Sequence, residues 1–478
     1  MRGGHPSPSP ELAPGLGLGA LGEFAANTRL GNIPDDVVDC GRLLLLDTIG
    51  ALLGGLRYPE VRRLAGRLVT GGGGEPDGPI PAAPFGLLVT LGAAATWLDT
   101  DSGGAFHPQG HRLPPVPTAH PAPHSLPVLL HAAAHGLDDR RLLEIFLVAN
   151  EIGMRAGTAT SLRPGLHPHG IHGPSGAAVA AGVLRGLDAE QLTASFTLAS
   201  SLPLAATLAA PMRGGTVRNL WTGLGAAYGA SVVGLVAGGA RAADGGFAVL
   251  HDGAVSTDLS LDQLLGELGS RWELANSYLK PYACARWIHP ALDAMGEALL
   301  DGGIVASEVA SEVEAVEVDT FAFAASLDAR AVDSDLHARF SLPYCLAALA
   351  VDGELLADGF LGDRLGRPEL AEFAARVRVR EEPSYSAALP RERPTRVTVR
   401  ARDGRTGRAE VRNARGNPAD PLSAGEVAEK LRRNVADSVP AEVIEAMIAA
   451  LTGSSPTTGR GDTIEATSRA AMRALASG

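Results

Sequence analysis

The chain has 478 residues, of which 45% are apolar and 20% charged, and its formal net charge is −12. This length predicts two or more domains, and the composition excludes a largely disordered protein. The acidic balance, without clusters of Lys and Arg alternating with aromatic residues, argues against nucleic acid as a partner.

The chain up to Trp272 is predicted to form helices and connecting loops. Residues 1–19 are rich in Pro, Gly and Ser and are expected to be a disordered tail rather than a secretory signal. Residues 224–240 are mostly Gly and Ala, which favours tight helix packing over a membrane span. Apolar residues recur at helical spacing in the segments 37–56, 87–98, 125–135, 139–155, 175–187, 189–201 and 223–238.

The pattern changes after Trp272. Apolar and polar residues alternate at 315–318, 377–380 and 396–401, which predicts strands, whereas 342–349 and 368–376 have helical character. Segment 424–451 returns to helical spacing and is expected to rejoin the first domain. We therefore expect a mostly α fold with an α+β second domain: a large all-helical domain formed from both chain ends (20–275 and 413–455), a smaller α+β lid domain (276–412), and tails at 1–19 and 456–478.

The cysteine pattern bears on the compartment and on metal sites. Cys40, Cys284 and Cys345 lack the paired spacing of a zinc site or a disulfide framework. Three thiolates could hold an iron–sulfur cluster, but no other feature of the sequence supports one. The protein is expected to lie in the reducing cytoplasm, without a membrane span.

Histidines are concentrated in two segments rich in Gly and Pro. His107, His111, His120 and His124 belong to the first, and His167, His169 and His172 form HPHGIHG in the second. Such Pro and Gly density predicts irregular backbone, where binding and catalytic residues concentrate. The bland alternative is a set of exposed or capping histidines. Zinc is a further alternative for the second group, but no carboxylate at helical spacing supports it, and we expect no metal.

A cationic cluster lies at the predicted domain boundary. Lys280, Arg286 and His289 occur in YLKPYACARWIHP, where a cleft between domains would allow them to bind a polycarboxylate. The alternative is that Lys280 and Arg286 are ordinary surface charges that cover aromatic rings.

Five separated motifs resemble, in order, the signatures of the MmgE/PrpD superfamily. They are LLDTIGALLGG, LHPHGIHGPSGAAVAAGVLRGLDAEQL, TVRNLWTGLGAAYG, KPYACARWIHPALDA and ARFSLPY, and the resemblance runs from Val37 to Leu451. It implies a two-domain subunit that pairs as a homodimer. Members of the superfamily dehydrate 2-methylcitrate, decarboxylate cis-aconitate or epimerise iminodisuccinate, without a metal or an organic cofactor.

The resemblance also implies site residues. The family's acidic and histidine positions fall on Asp99, His120 and His167, and its motif lysine falls on Lys280. His289 and Arg339 match further basic positions, and His172 and Arg286 complete the set of candidate substrate-binding residues.

Two departures from the family pattern affect the substrate. Arg218 stands in TVRNLW where many members have Lys, which replaces a titratable amine by a bidentate carboxylate clamp. The segment after Asp99 is lengthened, and the family's second acidic pair is thinned.

The resulting hypothesis is a cofactor-independent lyase that acts on a small di- or tricarboxylate-like acid. His167 and His120 would serve as base and acid, with Asp99 orienting one imidazole, while Lys280 and Arg218 hold substrate carboxylates and stabilise enolate-like charge. The alternatives are an epimerase or isomerase of a related acid, which needs the same proton transfers, and a non-catalytic carboxylate-binding protein.

Overall fold

The structure is a computed structural model that describes residues 16–69, 83–104, 119–204, 207–243, 245–305, 308–453 and 463–476. His107 and His111 of the first histidine segment lie outside the described residues. The helices of the first half of the chain are α1 Gly19–Asn27, α2 Asp35–Gly55, α3 Pro59–Leu68, α4 Phe85–Trp97, α5 Ala122–Ala134, α6 Asp139–Thr158, α7 His169–Leu184, α8 Ala189–Ser200, α9 Ala209–Met212, α10 Val217–Ala237, α11 Gly246–Val249 and α12 Leu261–Leu265.

The second half mixes helices and strands before it returns to helices. The helices are α13 His289–Asp301, α14 Val309–Glu312, α15 Ala322–Ala325, α16 Asp335–Arg339, α17 Leu342–Asp352, α18 Pro368–Ala375, α19 Pro383–Ala388, α20 Ala424–Val435, α21 Ala441–Thr452 and α22 Thr463–Ala476. The strands among the described residues are β1 Gly103–Gly104, β2 Thr160–Leu162, β3 Ser256–Leu259, β4 Ser277–Tyr278, β5 Val313–Thr320, β6 Val377–Glu381, β7 Thr395–Ala401 and β8 Thr406–Val411.

Helices from both chain ends share one hydrophobic core. Leu431 of α20 and Met447 of α21 are buried in the same cluster as Leu46 of α2. Small residues allow this approach, since a Cβ added at Gly50 would lie 2.8 Å from Cδ1 of Leu431. Burial of apolar surface between these helices ties the end of the chain to its beginning.

The α+β part has its own core beneath a four-stranded sheet of order β6-β5-β7-β8. β5 runs parallel to β6 and antiparallel to β7, and the register pairs Val316 with Val399 and Val318 with Val397. These valines are buried, and the alternation of buried and exposed positions is what a half-covered sheet requires. The predicted fold class is confirmed, while the domain boundaries stay predictions.

Helix α10 is the one described helix that is long and apolar enough to cross a membrane. Half of its most apolar window is buried inside the protein. Its glycines meet other helices at backbone distance, since a Cβ at Gly223 would lie 2.2 Å from the carbonyl oxygen of Val89 in α4. Such close approach is the packing that the Gly and Ala content predicts.

Three local predictions are wrong. The irregular backbone predicted for the histidine segments is wrong for His124, which lies in α5, and for HPHGIHG from His169 onward, where α7 begins. The carbonyl of Gly170, which Pro174 leaves without a helical donor, accepts the N–H of Leu204 at 2.8 Å. Strands do occur before Trp272, namely β1, β2 and β3; β2 pairs with β3, and β1 pairs with β4, which follows Trp272. The predicted tail contains α22, whose Ile464 is buried in the helical core.

Candidate active site

A cavity of about 230 Å³ opens between the helical part and the α+β part. The helical part and the connecting strand β4 contribute polar side chains to its wall, and the α+β part contributes arginines and aromatic rings. Six of the predicted site residues line it, namely Asp99, His120, His167, Arg218, Lys280 and Arg286.

The turn that follows α4 carries the acidic groups of this cavity. Asp99 adopts a left-handed backbone conformation with φ of 49°. The buried carbonyls at the C-terminal end of α4 and in this turn have no donors further along the helix and bind donors from elsewhere. Four cations from separate segments supply them: Arg218 to Thr96, Arg339 to Leu98, Lys280 to Asp99 and Lys430 to Thr100.

Two carboxylates and two cations form a buried network at this turn. The Nη2 atom of Arg218 donates both to Oδ1 of Asp99 and, at 3.1 Å, to Oδ1 of Asp101. Nζ of Lys280 lies 3.2 Å from Oδ1 of Asp99. Burial alone would raise the pKa of Asp101, but Arg218 and Lys280 hold it well below its usual range. Burial alone would lower the pKa of Lys280, but Asp99 and Asp101 raise it above its usual value, so both groups stay charged.

His120 is oriented through its Nδ1 atom. This nitrogen lies 2.7 Å from the carbonyl oxygen of Ser102 and 3.2 Å from Oδ2 of Asp101. Because a carbonyl only accepts, the hydrogen bonds assign the proton of neutral His120 to Nδ1 and leave the lone pair on Nε2. The β1–β4 ladder fixes the ring from the other side, with the ring of Tyr278 edge-on at 6.0 Å.

His167 has the opposite tautomer. Its Nδ1 accepts the backbone N–H of His169 at 3.3 Å, so that its own proton is on Nε2. Burial, with the nearby charge of Arg218 second, lowers the pKa of His167 well below the usual value. His167 is therefore a neutral hydrogen-bond donor at neutral pH. No hydrogen bond to Nε2 of His120 or of His167 is found within the described part of the chain.

His169 is the centre of a stack of imidazoles. Its ring centroid lies 4.5 Å from that of His120 and 4.7 Å from that of His167. Its Nδ1 lies 3.3 Å from Oγ1 of Thr222, and its Nε2 lies 3.4 Å from Oδ2 of Asp101. His169 thus links the two outer rings to the acidic turn.

Asp101, His120 and His169 also have the spacing of a metal site, with ligand atoms all within 4.8 Å of one another. The nearest nitrogen of His120 carries the proton that faces the Ser102 carbonyl, and Arg218 already bonds to Asp101. A metal ligand nitrogen must be free of its proton. The charge of Arg218 and the proton of His120 therefore compete with a metal ion for Asp101.

Three predicted substrate-binding residues are not among those that line the cavity. His172 lies 3.2 Å from Oγ1 of Thr160, and Nε2 of His289 lies 3.1 Å from the carbonyl oxygen of Cys284. Arg339 donates to backbone carbonyls of both parts of the molecule and to Tyr58. All three side chains are buried and used by the fold, so we assign them no contact with substrate.

Four residues that line or support the cavity were not predicted as site residues from the sequence. Asp101 supplies a second acidic group at this turn, where the sequence indicates that the family's second acidic pair is reduced. His169 was named only as one histidine of HPHGIHG. Tyr278 reaches the site through a two-residue strand, which has no recognisable periodicity. Arg393 belongs to the segment before β7, far from any motif.

Comparison with known proteins gives the family. The MmgE/PrpD N-terminal domain matches residues 19–244, and the MmgE/PrpD C-terminal domain matches residues 282–452. Together the two matches cover most of the chain. No curated protein gave a significant match.

Proposed function

The chain belongs to the MmgE/PrpD family, and from this premise we propose that it is a lyase that removes water or carbon dioxide from a small di- or tricarboxylic acid without a cofactor. The family in general supports a dehydratase type of activity or a related one. The observation that supports the proposed lyase is that His120 and His167, which line the same cavity, have opposite tautomers. His120 offers a lone pair and His167 offers a proton donor.

His120 is the proposed base. Its Nε2 takes the proton from the carbon next to a substrate carboxylate, and the electron pair of that C–H bond moves toward the carboxylate. Asp101 then stabilises the imidazolium through the 3.2 Å contact to Nδ1. An imidazole has its ordinary pKa near the physiological range, which suits proton transfer in both directions.

The charge that develops on the substrate needs donors that do not titrate. Neutral His167 donates from Nε2, and Lys280 has three N–H donors, of which two are engaged by Asp99. Preorganised donors of this kind lower the barrier because they require no rearrangement as the charge forms.

The proton on His120 then completes the reaction. In a dehydration it passes to the leaving hydroxyl, which departs as water while the electron pair forms the C=C bond. In a decarboxylation no carbon proton is removed first: His120 starts as the imidazolium, CO2 leaves while the electrons of the broken C–C bond remain on carbon, and His120 protonates that carbon and becomes neutral. Arg218 is the anchor of Asp99 and Asp101 in this scheme and not a direct ligand of the substrate.

The test is turnover of a panel of di- and tricarboxylic acids in D2O, followed by mass spectrometry and by absorbance of a new C=C bond. His120→Asn and His167→Ala are each expected to lower turnover by about 10²- to 10⁴-fold. His172→Asn is the matched control, because this buried histidine does not line the cavity and its loss leaves the chemistry intact. Full activity of His120→Asn would contradict the proposal.

The same assay separates the alternatives. Deuterium incorporation without net product would identify an epimerase or isomerase, and tight binding without turnover would identify a carboxylate-binding protein. The homodimer and the cytoplasmic location stay predictions, which light scattering and fractionation test. The net charge of −12 supports a partner set without nucleic acid.

A further inference from the structure

Positive charge is unevenly distributed in the cavity. At the acidic turn, the cations Arg218 and Lys280 face the carboxylates of Asp99 and Asp101, so the two signs compensate. A substrate carboxylate that approached these cations would have to compete with buried aspartates. This end of the cavity is therefore built for proton transfer more than for gripping an anion.

The other end carries Arg286 without an acidic partner. Its guanidinium stacks on Tyr278, with Cζ 3.4 Å from the ring centroid, and Nη2 donates to the neutral side-chain oxygen of Asn417. No carboxylate pairs with Arg286 among the described residues, and burial lowers the pKa of this arginine. The stacking fixes the plane of the guanidinium and leaves N–H donors for a ligand.

A second arginine reinforces this end. Arg393 is 6% exposed, and its Cζ lies 4.5 Å from the ring centroid of Trp287, which lines the same cavity. Burial, with the charge of Arg286 second, lowers the pKa of Arg393 well below its usual value. Arg286 and Arg393 thus line the same cavity, with Tyr278 and Trp287 each holding one guanidinium group, so both present positive charge to a ligand there.

We propose that Arg286 and Arg393 form a subsite for a carboxylate that is remote from the reacting carbon of the substrate. The inference rests on the proposed function and deepens it, because it makes a second carboxylate a requirement of the substrate. Planar guanidinium groups bind carboxylates through paired N–H donors, and the aromatic rings orient both forks. One carboxylate binds at this subsite while the carbon next to another carboxylate faces His120.

Equilibrium binding tests the subsite independently of any chemistry. Isothermal titration of the full chain with tricarballylate and succinate, which have no leaving group, measures anion binding alone. Arg286→Gln is expected to raise the Kd for both acids roughly 10- to 100-fold, since a charged hydrogen-bonding partner is lost. Wild type is expected to bind butyrate, with its single carboxylate, at least about 10-fold more weakly than succinate.

Arg163→Gln is the matched control. Arg163 is an exposed arginine on the same cavity, and its guanidinium bonds to the carbonyl of Gly253, so its removal changes the local field by the same charge. An equal loss of affinity in Arg163→Gln and Arg286→Gln would overturn the subsite in favour of a general field effect. Circular dichroism checks folding, and if Arg286→Gln fails to fold, Arg286→Lys and Arg393→Gln carry the test with the same direction.

Further outcomes of the binding and turnover experiments distinguish the subsite from the proposed lyase. Unchanged succinate binding in Arg286→Gln, or tighter binding of inorganic phosphate than of succinate, would overturn a carboxylate subsite. Binding of tricarballylate through Arg286 without turnover of any acid would support the subsite and contradict the lyase. Turnover without Arg286-dependent binding would do the reverse.

Discussion

Lowering the pH from 7 to 5 should destabilise this protein, and the share carried by His124 can be isolated. His124 is fully buried, and its Nδ1 lies 2.9 Å from the carbonyl oxygen of His120. Its ring packs so closely on α7 that a Cβ added at Gly173 would lie 2.1 Å from Cε1. Burial lowers the pKa of His124 to about 4.

The sign and size of the effect follow from proton linkage. In the unfolded chain this histidine titrates near its ordinary pKa of about 6.5. Between that value and about 4 the unfolded state binds a proton that the folded state does not, so the free energy of unfolding falls as the pH falls. Between pH 7 and pH 5 the loss from this one ring is ~2 kcal/mol. Burial also lowers the pKa of His167, His169 and His172, which adds losses of the same sign.

Urea denaturation at several pH values between 7 and 5 measures this loss in wild type, His124→Gln and His135→Gln. His124→Gln is expected to be less stable at neutral pH but to lose ~2 kcal/mol less on acidification. His135→Gln, at an exposed position at the end of the same helix, should keep the wild-type pH dependence. Parallel pH profiles of wild type and His124→Gln would show that His124 does not carry this loss of stability.

Two further predictions concern the cations of the acidic turn. Arg218→Met leaves the buried carboxylates of Asp99 and Asp101 without their main partner and should lower the free energy of unfolding by ~3–5 kcal/mol. Arg218→Lys should recover part of this loss. Equal stability of Arg218→Met and wild type in urea would contradict the network. Lys430→Met, in α20, removes the donor to Thr100 and the ion-pair partner of Asp47, and should lower kcat while KM changes little, with Lys430→Arg restoring activity. A change confined to KM would show that Lys430 does not position the turn.

Much of the fold was predictable because its signals are repeated along the chain. Helix α2 was predicted at 37–56 and spans Asp35–Gly55, since a long buried helix shows its apolar face over several turns. Strand β7 was predicted at 396–401 for the corresponding reason in period two. The start of α7 was missed because a proline such as Pro174 usually marks the end of a helix. The carbonyl of Gly170, which Pro174 leaves without its helical donor, accepts the N–H of Leu204 from a distant part of the sequence.

Site residues that belong to a recognisable motif could be predicted from the sequence, whereas roles that depend on tertiary contacts could not. Asp99, His120, His167 and Lys280 followed from the resemblance, and the structure brings them to one cavity. Arg339 was misassigned because residue type does not reveal whether a cation faces a ligand or a buried carbonyl. The tautomers of the histidines depend on backbone groups, such as the Ser102 carbonyl, whose direction no sequence pattern encodes.

In the proposed complex, His120 faces the reacting carbon of an acid whose other carboxylate is bound at Arg286. A crystal structure of the full chain with tricarballylate tests it most directly. One carboxylate is expected on the guanidinium groups of Arg286 and Arg393, and a carbon adjacent to another carboxylate is expected about 3–3.5 Å from Nε2 of His120. Tricarballylate bound on Arg218 and Lys280 with the Arg286 end empty, or bound outside this cavity, would contradict it.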